Sequence, residues 1–307
     1  MSERVIRRFA AGDEAALGAL IASAAAAGEL LGSSDPHAEW ITRYALSDPR
    51  SVGVAEVDDV LVGSVLPEIK TIVVDPGHRR RGVGRALVEE GIEIERERER
   101  PNLLAGVLPE DAASRAFLEA TGFTFHSTLW DLDLEQGVTV VPVAWPDDVR
   151  TRPINRERDL RAFVALFNAA FADHATPLQL DADRMAANQA EAPFRDEDLL
   201  LLEGPSGELA GFCATEPRRL PDGGVEPRGE IWTVGVRPAS QGHGYGRQLL
   251  RWGIAHLREV GVETVTLSVN GRNPRALGLY ESEGFRRTAT RDRWAKPVLA
   301  TTAKGTP

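Results

Sequence analysis

The residues best suited to chemistry in this 307-residue chain lie between Glu230 and Gly284. Glu230 opens the run EIWTVGV, rich in β-branched and aromatic residues and halted by Pro238, the pattern of a strand ending in a turn. Gln241, Gly242, His243, Gly244, Tyr245, Gly246 and Arg247 follow, and then LLRWGIAHL, whose apolar residues recur at helical period. A glycine loop opening a helix turns unpaired backbone N–H groups toward one point, where the helix dipole adds positive charge. Such a point suits a phosphate or pyrophosphate, although glycine-rich turns also serve packing. Further on, Tyr280 offers a phenol on a second helical pattern, and Asn273 stands where that helix would be capped. The Glu230 carboxylate could take a proton from an ammonium group or bind it.

The spacing Gln-x-x-Gly-x-Gly is neither a Walker loop, which ends in Gly-Lys-Ser/Thr, nor the dinucleotide fingerprint with its later acidic residue. It resembles the acyl-CoA pyrophosphate loop of the GNAT-family N-acetyltransferases. NPRALGLYESEGF, Asn273 to Phe285, is similar to a second segment of that family, in the right order and about thirty residues downstream. The resemblance implies acetyl-CoA as donor and a small primary amine as acceptor, an acyl-CoA-dependent N-acetyltransferase of class EC 2.3.1. It assigns the amides of Val234, Gly235 and Val236 to the pantetheine arm and the acetyl carbonyl, and Asn273 to the pantetheine or phosphate arm. Tyr280 becomes the acid that protonates the departing thiolate. Gly235 within the strand suggests a bulge there. If Glu230, Trp232 and Val234 share one face, Glu230 points into the cleft as base or acceptor ligand.

Composition narrows the partners. A net charge of −10 argues against a nucleic-acid partner, which would want a basic face, and favours a cationic acceptor. The single cysteine, Cys213, sits in the apolar run LAGFCATE and reads as a buried thiol. No Cys/His/Asp cluster has metal-ligand spacing, so no metal site is expected. The apolar stretch AALGALIASAAAAG follows a basic start, yet Asp13 and Glu14 interrupt the transition, so it reads as part of the fold. No membrane segment is expected; the reading is a cytoplasmic monomer or weak dimer.

The chain also repeats itself. EIKTIVVDPGHRRRGVGRAL from Glu68 matches EIWTVGVRPASQGHGYGRQL from Glu230 without a gap, 162 positions apart. FLEATGF at Phe117 and LYESEGF at Leu279 keep the same offset, whereas Arg7 and Arg152 are 145 apart. A repeat of this length means a duplicated domain. Strands alternating with helices give an α/β class, an α+β sandwich in each copy, with Asp58-Asp59 turning a hairpin. The expected organisation is two tandem GNAT domains, each a mixed sheet flanked by helices, over residues 1–140 and 150–298. A polar, proline-marked linker joins them.

In the first copy Ile72, Val73 and Val74 end the central strand, with Glu68 at its start, and Arg79, Arg80, Arg81, Gly82, Val83, Gly84 and Arg85 form the loop. These could hold a second acetyl-CoA. Leu118 stands opposite Tyr280 and Asp111 opposite Asn273, so the first copy is expected to be catalytically poor. The tandem arrangement and FNAAFADH, Phe167 to His174, resemble the branch of the family that acetylates the cysteinyl amine of a cysteine–glucosamine–inositol thiol. Glu39 and His174 are then candidate acceptor contacts. After His174, and within LSVNGRNPRA, the chain departs from that branch. Two further readings therefore stay open: an acetyltransferase for another small amine, such as an aminoglycoside-like sugar or an amino acid, and a non-catalytic CoA-binding module.

Overall fold

The computed structural model describes residues 4–26, 45–46, 48–172, 180, 182, 195–220 and 223–298. Two compact units emerge: one gathers residues up to Leu129 and the chain from Ala289 on, the other runs from Trp130 to Thr288.

The first unit begins with β1 (Arg4–Arg8), α1 (Glu14–Ala26), β2 (Gly53–Val57), β3 (Val60–Leu66) and β4 (Thr71–Val74). The four strands form one antiparallel sheet in the order β1-β2-β3-β4. Asp58 and Asp59 make the β2–β3 turn with φ of 52° and 64°, a left-handed conformation that aspartate tolerates better than most residues. Helix α2 (Val83–Glu97) follows, then β5 (Asn102–Val107), α3 (Ala112–Ala120) and β6 (Thr124–Leu134). The sheet is buried on both faces. Leu17, Leu20 and Ile21 of α1 pack with Val52, Val54 and Leu66. Val83, Leu87 and Ile94 of α2 pack with Ala55, Val62 and Val65 on the other face.

The second unit repeats the plan with β7 (Arg150–Pro153), α4 (Arg156–Ala170), β8 (Leu199–Glu203), β9 (Leu209–Arg219), β10 (Val225–Val236), α5 (Tyr245–Glu259), β11 (Thr264–Asn270), α6 (Pro274–Ser282) and β12 (Arg286–Pro297). Leu199 and Leu201 face α4, where Phe163 and Phe167 lie, while Leu200 and Leu202 face Leu249 and Ile254 of α5. This explains the unbroken leucine run: a strand covered on both faces needs apolar residues at every position. The offset between Arg7 and Arg152 corresponds to the same ion cluster built twice. Arg7 binds Asp13 at 2.7 Å and also Glu56; Arg152 binds Asp159 at 2.6 Å and Glu203 at 2.7 Å.

Each unit closes with a strand from the other repeat. In the first, β12 inserts between β5 and β6, with Asp292 opposite Val107 and Pro297 opposite Asn102. In the second, the Trp130–Leu134 half of β6 lies beside β11, ahead of β10, β9, β8 and β7. Both β6 and β12 change unit along their length. The boundaries expected at 1–140 and 150–298 follow the repeat, whereas the packing assigns the last strand to the first unit and the linker to the second. There Trp145 packs on the core, and the Ala144 N–H donates to Gln248 at 2.8 Å. Backbone pairing partners leave no local mark in a sequence, so the repeat located the strands without revealing which sheet receives them.

Candidate functional site

The site is made by a strand pair that parts. Strands β10 and β11 run parallel and pair only where Arg228, Gly229 and Glu230 meet Thr264, Val265 and Thr266. Beyond Glu230, β10 continues to Val236 held by β9 alone, with Val234 against Cys213 and Val236 against Gly211. Along Ile231 to Val236 its other edge has no ladder partner among the described residues, so alternate N–H and C=O groups face the gap. An extended ligand arm can lie there as an added strand. The bulge lies between Ile231 and Thr233, where Trp232 is the extra residue, and not at Val234-Gly235-Val236, which pairs regularly. Gly235 is needed for another reason: a Cβ there would strike the Phe212 ring. The bulge also breaks the expected alternation. Trp232 stacks on Phe167 of α4, whereas Val234 packs on the α5 side.

Below the parted strands lies the glycine loop. Pro238 to Ser240 form a single 3-10 turn; Gly242 then takes φ +88° and Gly244, the residue before α5, takes φ +80°. The N–H groups of Gly242, His243, Gly244, Tyr245 and Gly246 donate to no acceptor among the described residues. They stand at an open helix start, and a Cβ on Gly242 or Gly244 would meet nothing within 4 Å. These glycines are set by backbone angle and leave the approach to the amides clear, which is what a pyrophosphate requires. The chain therefore fits the diphosphate group of CoA here.

The side chains around the loop are less free than their positions suggested. Gln241 donates to the Val236 carbonyl at 3.3 Å and accepts from Arg275 at 3.0 Å, so it locks the loop and brings an α6 guanidinium to its edge. His243 stacks on Tyr245, whose own ring is buried in the core. Arg247 turns away to Ser282 and Glu283, which Arg251 also grips at 2.8 and 2.9 Å. The oxygen of Asn273 accepts from the Ala276 N–H at 3.0 Å as the cap of α6. Arg275 was missed in the sequence; an arginine two residues after a capping asparagine was the available signal.

Two groups flank the gap. Tyr280 on α6 is half-buried in the cluster that holds Val234 and Val236, tilted 57° to Phe285 with ring centres 6.1 Å apart. Burial, with the nearby Cys213 adding, pushes its phenol up to about 12, and its hydroxyl makes no hydrogen bond among the described residues. Glu230 is the last β10 residue paired to β11, and it lies directly across from Glu216 of β9. Its neighbour Gly229 faces Leu257 and Val262 on the α5 side, which puts Glu230 on the α4 side, opposite Tyr280. Glu39 and His174 lie outside the described residues.

The first unit keeps the loop and loses the flanking groups. Arg80 holds φ +60° where the second unit has Gly242, and Gly82 holds φ +82° before α2. Arg79 donates to the Val74 carbonyl at 3.0 Å, as Gln241 does to Val236, and Arg85 is exposed. The N–H groups of Arg80, Arg81, Gly82, Val83 and Gly84 likewise donate to nothing among the described residues. Ile72, Val73 and Val74 pair with β3. Toward β5, the Gly106 N–H reaches only the Lys70 carbonyl, at 2.8 Å. Glu68 lies in the turn before β4, outside the expected strand, and its carboxylate binds Arg98 at 2.7 Å. Leu118, in the place of Tyr280, is buried.

A sandwich with a parted central strand pair above an anion-binding helix start defines an acyl-CoA-dependent acetyltransferase fold. The sequence profile of the Acetyltransferase (GNAT) family matches residues 23–123 and 160–285, and the chain belongs to that family as a tandem member and an N-acetyltransferase. Among curated relatives it is similar to the mycothiol acetyltransferase of Cellulomonas flavigena, 34% identical over 262 residues, 83% of this chain and 74% of that protein. It is also similar to the mycothiol acetyltransferase of Thermomonospora curvata, 38% identical over 219 residues, 71% and 70% of the two chains. Among solved structures, a tandem GNAT protein from the clavulanic acid biosynthesis pathway superposes with TM-score 0.67 at 19% identity, covering 97% of this chain and 99% of that one. A GCN5-related N-acetyltransferase from Sphaerobacter thermophilus gives 0.67 at 22% identity, covering 96% of each. Among the described residues no helix is long and apolar enough to cross a membrane, and no group of three or more His, Cys, Asp or Glu side chains is placed to hold a metal ion.

Proposed function

We propose that the second unit transfers the acetyl group of acetyl-CoA to the primary amine of a small molecule. One observation carries the reading: β10 and β11 part at Glu230, above five undonated N–H groups, with a phenol and a carboxylate on opposite sides of the gap. The loop amides of Gly242 to Gly246 hold the diphosphate, and the free edge of β10 holds the pantetheine arm and polarises the acetyl carbonyl. Glu230 takes the proton that the acceptor amine sheds as its nitrogen bonds to the carbonyl carbon. As the carbon–sulfur bond breaks, Tyr280 gives its proton to the thiolate. A phenol pushed up by burial is fully protonated at neutral pH, the state this step needs. The first unit has neither partner in reach of the same work, since Glu68 is engaged with Arg98 and Leu118 has no proton to give; it binds the cofactor or supports the fold.

The curated relatives bring forward the cysteinyl amine of a mycothiol precursor as acceptor. A different small amine is the second reading, since the chain departs from that branch after His174 and within LSVNGRNPRA. Release of the CoA thiol, followed with a mycothiol precursor and a panel of other amines, tests the proposal. Turnover with at least one amine that disappears in Tyr280→Phe is the expected result, and acetyl-CoA binding without turnover for any amine would leave a binding module.

A further inference from the structure

We infer that Glu283 is a positioning residue for the transfer step: it ties the helix that carries Tyr280 to the helix that starts at the anion loop, and so keeps the phenol at the cofactor's sulfur. This rests on the acetyl-transfer reading of the same unit. The loop and α5 follow β10, whereas α6 with Tyr280 follows β11. Those strands are paired only as far as Glu230, so beyond it no ladder among the described residues fixes how far the two helices stand apart. A side-chain clamp does so instead. Glu283, at the end of α6, has a side chain only 3% exposed, and it receives Arg247 and Arg251 from the first two turns of α5. Arg251 reaches it with two nitrogens, at 2.8 and 2.9 Å, and Arg247 also donates to the Ser282 hydroxyl at 3.0 Å. Burial alone would raise this carboxyl; the two guanidiniums outweigh it and hold the group below the usual carboxylate range, so the clamp is charged at neutral pH.

Tyr280 lies within a turn of the clamp. Its carbonyl accepts the N–H groups of Glu283 and Phe285, both at 3.1 Å, so the backbone that Glu283 anchors is the backbone that carries the phenol. The Tyr280 hydroxyl makes no hydrogen bond among the described residues, so its aim comes from packing and from where α6 is held. Glu283 is not there for α6 itself, since the helix dipole opposes a carboxylate at a C-terminus. Nor does a buried ion pair stabilise a fold more than apolar contact would; what a two-pronged guanidinium–carboxylate pair supplies is fixed distance and angle. The first unit has no phenol and no clamp. At the 162-position offset Leu118 stands for Tyr280, Thr121 for Glu283, Ala120 for Ser282, and Arg85 and Glu89 for the two arginines. Thr121 donates its hydroxyl to the Phe117 and Leu118 carbonyls of its own helix, at 2.8 and 3.1 Å, while Arg85 and Glu89 are exposed. No ion pair joins α2 to α3 there among the described residues.

The test compares the full chain with Glu283→Gln, which keeps the shape of the side chain and removes its charge. It reads kcat and acetyl-CoA KM with the amine turned over fastest, and the fluorine spectrum of protein carrying 3-fluorotyrosine. Glu283→Gln is expected to lower kcat about tenfold and to leave the acetyl-CoA KM within about twofold, since the loop amides are untouched. The Tyr280 resonance, assigned through Tyr280→Phe, is expected to shift or broaden in the variant. An unaltered kcat, a matching loss of acetyl-CoA affinity, or an unmoved Tyr280 resonance overturns the inference and leaves the acetyl-transfer reading intact. If no amine releases thiol from the wild type, that reading falls, and the spectrum decides this one. A resonance moved by Glu283→Gln upholds the link between clamp and phenol, and an unmoved one ends it. Should Glu283→Gln melt too low to assay, Arg251→Gln leaves Arg247 on the carboxylate and is expected to shift the same readouts in the same direction, kcat by about threefold.

Discussion

The loops Arg79–Gly84 and Gln241–Gly246 follow one backbone course with different side chains. Each leaves a 3-10 turn, enters the left-handed region at its second residue and again at its fourth, and delivers five undonated N–H groups to a helix start. Loop geometry is thus preserved in both units. On the proposed mechanism the chemistry belongs to one, because it depends on residues outside the loop that the duplication does not hold in register. At the base position, the β3–β4 hairpin of the first unit turns at residues 67–70, which leaves Glu68 in the turn, while the β9–β10 hairpin runs on and keeps Glu230 in a strand. At the acid position, a phenol is exchanged for a buried leucine.

The strongest way to break this contrast is at the acid. Tyr280→Phe is expected to lower kcat about 10³-fold with acetyl-CoA affinity unchanged, and Leu118→Tyr is expected to restore nothing, since Glu68 stays bound to Arg98. Because the phenol lies up at about 12, its ionisation should not reduce the wild-type rate anywhere between pH 7 and pH 10. An alkaline fall in that range, read from a kcat profile, would assign the acid to another group.

A second difference lies under the sheet. The 3-10 turn that leads into the second strand ends in Asp198 in the second unit and in Ser51 in the first. Asp198 is fully buried beneath Arg219 and His256; the helix position of His256 is filled by buried Ile94 in the first unit. At this point one unit is braced by charged and polar side chains and the other by apolar contact. Asp198→Ser leaves the Arg219 guanidinium and the His256 ring without their buried acceptor and is expected to cost about 3 kcal/mol in chemical unfolding. Hydrogen bonds from His256 and Arg219 hold the Asp198 carboxyl well below the usual range in spite of burial. Its contribution is therefore whole above the unfolded value near 3.9 and is lost as pH falls through the lower folded value. The acid limb of the stability profile should flatten in the variant.

The base sharpens the comparison next. Glu230→Gln is expected to lower kcat about 10²-fold, whereas Glu68→Gln leaves kcat within about twofold and loses at most ~1 kcal/mol through its partly exposed pair with Arg98. Equal effects of the two changes would mean that neither carboxylate handles the proton.

Much of this was readable in the chain because duplication writes the same residue types twice. The 162-position offset located both loops, and Arg7 with Arg152 located both first strands. The exchange of β6 and β12 was not readable, because a strand's pairing partner is decided by long-range packing and its own residues fit either sheet. The bulge at Trp232 was misplaced for a related reason: Gly235 looked like the irregular residue, and only the Phe212 ring shows that its missing Cβ serves close packing. Glu283 showed no sign of its clamp, since the two arginines that meet it stand 36 and 32 positions earlier in the chain.

The smallest expected effect concerns the loops themselves. Arg80 occupies the left-handed region at φ +60°, a conformation that costs a side-chain-bearing residue about 1–2 kcal/mol, and Gly242 occupies its counterpart without that strain. Glycine returns part of the gain by loosening the unfolded chain, about 0.5–1 kcal/mol. Arg80→Gly should therefore stabilise the protein by about 0.5–1 kcal/mol, and Gly242→Arg should destabilise it by a similar amount. The ligand readout separates strain from recognition. If Arg80 is kept for its charge, Arg80→Gly will weaken CoA binding by the first unit while raising stability. If the loop amides do the binding alone, affinity will hold, and the strained arginine is a remnant that the rest of the unit is stable enough to carry.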